Sequence, residues 1–168
     1  GLHEMWNIAL DAAAARGTHA IILNNDLILD GKAKWIERLC VHFDDVEEWD
    51  ALCPNYDRSP VVSWKPVVRV HGIAAGRADG GGGLAGFAFA VSSRFIATGY
   101  RFPTDLKWWY GDNDLCCTLS EQGRPYGMVA GVGVEHIGGG SQTAKDHDLS
   151  EQMEADRAAF EAKWKVPA

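Results

Sequence analysis

Ala20-Ile21-Ile22-Leu23-Asn24-Asn25-Asp26 is a short apolar run that stops abruptly at two amides and a carboxylate. Four apolar residues bounded in this way read as a buried strand. In open α/β sheets ligands gather outside the strand ends, so the three polar residues stand where binding chemistry is expected. Asn and Asp also build turns, and an Asx turn closing the strand is the structural alternative.

Working outward, Leu2, Trp6, Leu10 and Ala13 recur at helical spacing and predict a helix over 2–16, stopped by Gly17. Trp35, Ile36, Leu39 and Phe43 mark a second helix over 32–43. Val61 to Trp64 and Val67 to Val70 read as strands, with an edge or bend at Pro66. Gly72 to Gly83 carries almost no large side chain and is expected to be a mobile loop. A strand over 87–91, a short helix over 93–98, a helix over 112–121 and a strand over 126–134 follow. The C-terminal helix, 148–165, carries Leu149, Met153, Phe160 and Trp164 on one stripe, with Asp148 and Glu151 spaced as a capping box. Alternating helices and strands give an α/β class, expected as one domain over 1–168.

The chain has 168 residues, enough for one core and too few for two comfortable ones. A net charge of -7 argues against a general nucleic-acid binder, which carries a basic patch. Cys40, Cys53, Cys116 and Cys117 show no CxxC spacing, and an adjacent pair within a helix is poor disulfide geometry. Reduced, buried thiols and a cytoplasmic location are expected. No apolar run is long enough to cross a bilayer.

Three further features stand downstream of Asp26. Gly80 to Gly86 is glycine-rich and runs into Leu84-Ala85-Gly86-Phe87-Ala88-Phe89-Ala90-Val91. Trp108-Trp109-Tyr110-Gly111-Asp112-Asn113-Asp114-Leu115 joins aromatics to carboxylates, and Val132-Gly133-Val134-Glu135-His136 ends an apolar run on an imidazole. Taken in this order, the four features resemble the GT-A fold of nucleotide-sugar glycosyltransferases, and the large inverting family 2 in particular. Asn24-Asn25-Asp26 resembles the rhamnosyltransferase-like variant of that family's DxD motif. The segment around Asp112 resembles its "ED" motif, with Gly111 standing where the family has glutamate. Phe160-Glu161-Ala162-Lys163-Trp164 is similar to a C-terminal Phe-x-x-Lys-Trp of some members.

The resemblance implies a GT-A-like, Rossmann-like mixed sheet flanked by helices. Its activity would be metal-dependent transfer of a hexosyl or deoxyhexosyl group, with inversion, from a nucleotide-diphosphate sugar to an acceptor hydroxyl. Asp26 and His136 would hold a divalent cation, Mg²⁺ or Mn²⁺, and Asp112 would be the general base. Asn24, Asn25, Gly83, Leu84, Ala85 and Gly86 would meet the donor. Trp108, Trp109 and Asp114 would meet the acceptor, whose class (glycan, lipid, protein or modified nucleic acid) stays open. Family members open with two nucleotide-binding strands that nothing here matches, so the fold is expected to be N-terminally incomplete. The competing expectation is a catalytically inactive sugar-binding or scaffolding module. A nucleotidyltransferase would need a basic phosphate loop at the first strand, and none is visible.

Overall fold

The computed structural model describes residues 1–29, 34–44, 49–55, 66–69, 84–137 and 149–165. Helix α1 (Leu2–Arg16) forms as its spacing predicts and ends at Gly17, whose φ of 64° closes the last turn. Strand β1 (Ala20–Leu23) follows, then β2 (Leu27–Leu29), α2 (Trp35–Val41), β3 (Ala51–Asn55) and β4 (Pro66–Arg69). The second half is β5 (Ala88–Val91), α3 (Ser93–Ile96), α4 (Gly111–Glu121), β6 (Tyr126–His136) and α5 (Ser150–Trp164).

The strands form one mixed sheet in the order β1-β5-β3-β6-β2, with β4 also on β6. Only β3 and β6 run parallel; the other pairings are antiparallel. Side chains alternate across this sheet. Ala20, Ile22, Ala51, Cys53, Phe89, Val91 and Met128 join the larger core with α1, α3 and α4. Leu52, Ala90 and Val129 face the other way, onto Leu39 and Phe43 at α2. The sheet is therefore covered by helices on both faces. Leu10 of α1 has no exposed surface, and Leu10→Ala would cost about 2–5 kcal/mol.

Two strands have weak sequence signals. β2 is three residues long, and β3 carries Pro54, which argues against a central strand. Its place is explained by register: β3 pairs with β5 only through Ala51 and Leu52, and its pairing with β6 shifts after Pro54. The missing N–H thus falls where the ladder is already interrupted. Pro66 is the first residue of β4, and the residues just before it lie outside the described ones. The expected capping box of the last helix is corrected, since Leu149 occupies the cap position without a side-chain bond. Asp148, the 61–64 strand, Val70 and the 72–83 loop lie outside the described residues. Among the described residues no helix is long and apolar enough to cross a membrane.

Candidate active site

Asn24-Asn25-Asp26 is the whole connection between β1 and β2. β1 pairs with β5, whereas β2 pairs with the end of β6, so these residues step from one part of the sheet to another. The step is tied down on both sides. Asn24 N–H donates to the Phe87 carbonyl at 2.8 Å, and Ile137 N–H donates to the Asp26 carbonyl at 3.0 Å. Leu27 is the register partner of His136. As a result His136 Nε2 lies 3.1 Å from Asp26 Oδ2. The Phe87 ring stacks on the imidazole, with centroids 4.3 Å apart and planes 17° from parallel. Both polar side chains keep partial solvent access, 29% for His136 and 24% for Asp26. Asp26 Oδ1 is buried and has no hydrogen-bond partner among the described residues. Glu135 alternates away from the pair and is exposed, whereas Asn25 is exposed at the turn.

Gly86, next to Phe87, meets the other carboxylate. Its N–H donates to Asp112 Oδ2 at 3.0 Å, and a Cβ on Gly86 would stand 2.7 Å from that oxygen. Only glycine lets the backbone come this close. The preceding N–H groups are also used internally. Leu84 donates to Cys116 Sγ at 3.3 Å, and the Ala85 backbone bonds the Cys53 thiol. Burial pushes the Cys53 thiol up to about 12 and raises Cys116 as well, so both stay neutral. Leu84 and Ala85 themselves face the core. The Leu84-Ala85-Gly86 backbone is thus fixed from beneath by β3 and α4.

Asp112 is the second residue of α4, behind a cap position taken by Tyr110 in the left-handed region at φ 65°. Its Oδ1 accepts from Asn113 N–H at 3.0 Å. Gly111 has a steric cause: a Cβ there would lie 2.3 Å from His3 Nε2 and 2.7 Å from the Trp6 ring. Helix α1 occupies the room that a side chain at position 111 would need.

Asp114 does other work than expected. It is 0% exposed, and its carboxylate takes hydrogen bonds from Lys163 Nζ at 2.5 Å, Trp164 Nε1 at 2.9 Å and Tyr100 Oη at 3.2 Å. It anchors the end of α5, and no surface is left to meet an acceptor. Lys163 is therefore spent on Asp114. Trp108 is 46% exposed and Trp109 half-buried.

Asp26, His136, Asn24 and Asp112 thus gather around the dipeptide Gly86-Phe87, and Asp114 stands apart. Gly83 lies outside the described residues. Phe87 and Asp156 escape a motif reading, although Asp156 sits on the apolar stripe of α5, where a carboxylate is out of place. Asp50, buried with Ser92, Arg94 and Arg124 on its oxygens, is structural. Among the described residues no three His, Cys, Asp or Glu side chains converge as a self-sufficient metal site. No family model matches the chain, and no curated protein matches it.

Proposed function

We propose that the chain carries the catalytic site of a GT-A-like, family 2-like glycosyltransferase. It would move a sugar from a nucleotide-diphosphate donor to an acceptor hydroxyl with inversion. The observation that carries the reading is the approach of His136 to Asp26, linked through Phe87 and Gly86 to Asp112.

Asp26 and His136 fit a divalent cation as a two-ligand half-site. Two electron-rich atoms 3.1 Å apart are reconciled by a proton on Nε2 or by a cation touching both. Neighbouring octahedral ligands at the 2.0–2.1 Å usual for Mg²⁺ stand about 3 Å apart. The buried Asp26 Oδ1, without a partner among the described residues, adds negative charge to the site. Such ions keep few protein ligands and take the rest from phosphate and water. When bound, the cation would supply neutralisation of the departing diphosphate.

The chain's own residues do the remainder. Asn24 and Gly86 hold the floor on which the donor lies, and Phe87 keeps the imidazole plane fixed. Asp112 receives the acceptor hydroxyl's proton as the new bond forms on the face opposite the leaving group.

A second reading rests on the bonds from Gly86 and Asn113: with both Asp112 oxygens accepting from backbone, the site could be an inactive sugar-binding module. Release of nucleoside diphosphate from a panel of sugar donors by the full-length protein, with and without Mn²⁺, separates the two. Metal-dependent turnover supports the enzyme; binding of donor without turnover supports the module.

A further inference from the structure

The segment from Leu106 to Asp114 leads from the exposed Trp108 to Asp112, and it is gripped from two sides. Helix α1 supplies donors: Leu2 N–H reaches the Lys107 carbonyl at 2.7 Å, and His3 Nδ1 meets the Leu106 carbonyl. Helix α5 supplies the acceptor. Asp156, with no exposed surface, takes the N–H groups of Lys107, Trp108 and Trp109 at 3.1, 2.9 and 3.0 Å. Three successive N–H groups turned to one side form a concavity that holds an anion, and here the anion is a side chain. Gln152 Nε2 adds a bond of 2.7 Å. Burial alone would raise the Asp156 carboxyl, but the three N–H groups and Gln152 outweigh it and its pKa is lowered.

The same helix also fixes the next turn. Phe160 stacks on Tyr110 with centroids 5.2 Å apart, and Lys163 and Trp164 bind Asp114. Tyr110 is one of three non-glycine residues with positive φ among the described residues. Such a conformation persists only where the surroundings over-determine it. We infer that Asp156 is a positioning residue: through the N–H groups of 107–109 it sets where Trp108 and Asp112 present themselves to the acceptor. The inference rests on the proposed transferase reading. Its consequence is one-sided, because Asp26, His136 and Asn24 belong to the other end of the Gly86-Phe87 bridge, where among the described residues they bond one another, Phe87 and Ile137.

The test is steady-state kinetics of full-length Asp156→Asn, with donor and acceptor varied separately. Asparagine keeps the shape but offers one oxygen and turns an N–H₂ group towards three N–H groups. Acceptor kcat/KM should fall roughly ten- to a hundredfold, as for a small misplacement of reacting groups. Donor KM should stay within about twofold, since the donor end of the site is untouched. If Asp156→Asn does not fold, Gln152→Ala keeps the carboxylate and loosens it, and should move the acceptor constants alone by a smaller factor. Unchanged acceptor constants, or a donor KM that shifts together with the acceptor constants, would overturn the inference. Wild-type protein inactive with every donor defeats the transferase reading instead. Hydrogen exchange then decides for Asp156: faster exchange confined to 107–112 in Asp156→Asn upholds its positioning of that segment, and unchanged exchange overturns it.

Discussion

His136 is held between two partners, Asp26 Oδ2 at 3.1 Å from its Nε2 and the Phe87 ring stacked 4.3 Å from its own. The imidazole therefore has one orientation, and its polar edge faces a carboxylate whose other oxygen has no partner among the described residues. A fixed orientation of this kind is what the proposed metal role asks of His136.

Asp112→Asn tests the base. The variant retains one carbonyl oxygen for the two backbone N–H groups, so stability should fall by about 1.5–3 kcal/mol, the worth of one hydrogen bond to a charged group. Turnover should fall far more, by roughly two to four orders of magnitude. Denaturant unfolding and donor-release rates measure the two effects separately. Near-normal turnover, or a product of retained configuration, removes Asp112 from the role.

Gly111→Ala tests the steric origin of that glycine. Alanine favours a helix, yet its Cβ would meet His3 and Trp6 well inside contact distance. Stability should drop by about 1–3 kcal/mol through overpacking, read from the urea midpoint. A stabilised variant would show that α1 can shift aside.

Lys163→Met leaves the buried Asp114 carboxylate with Tyr100 and Trp164 as donors and no paired cation among the described residues. A loss of roughly 1–3 kcal/mol is expected for the weakened pairing of a buried charge. Thermal unfolding followed by tryptophan fluorescence measures it, and an unchanged midpoint would mean that the pair is dispensable.

The pH dependence follows from His3. Burial lowers its pKa from 6.5, against opposing contributions from the Leu106 carbonyl, Asp156, Asp112 and the Pro103 carbonyl. Below 6.5 the unfolded chain binds the proton before the folded one does, so the unfolded state carries more protons there. Stability is therefore fully present above that pH and is lost as pH falls through the folded value. Urea midpoints from pH 7.5 to 5 should decline in the wild type more steeply than in His3→Phe. Parallel slopes would show that His3 does not titrate differently on folding.

The strand-to-turn step at Ala20 to Asp26 and the long periodic helices α1, α4 and α5 were legible because each is decided locally. Trp6 and Leu10, or Leu115 and Leu119, declare a buried face by spacing alone. β2 and β3 were not, because three residues gain strand character only from β6, and a proline-bearing pentad only from β5 and β6. The pairing of Asp26 with His136 was expected from two strand ends, and it arises through a ladder that no local pattern encodes. Asp114 shows the limit of motif reading. A carboxylate next to the helix start looks available in sequence, and burial under Lys163 and Trp164 is a tertiary fact. Asp156 is the converse, a polar residue on an apolar stripe whose partners are backbone groups nearly fifty residues away.

The most direct test of the Asp26–His136 site is Mn²⁺ binding followed by electron paramagnetic resonance, in the presence of a nucleoside diphosphate. The wild-type protein is predicted to hold one Mn²⁺ per chain with nitrogen coupling from the imidazole. Asp26→Asn should weaken binding at least about tenfold, as loss of a charged ligand does, and His136→Gln should remove the nitrogen coupling. Equal Mn²⁺ affinity in wild type and Asp26→Asn, or a signal without nitrogen coupling in the wild type, would contradict a cation shared by these two residues.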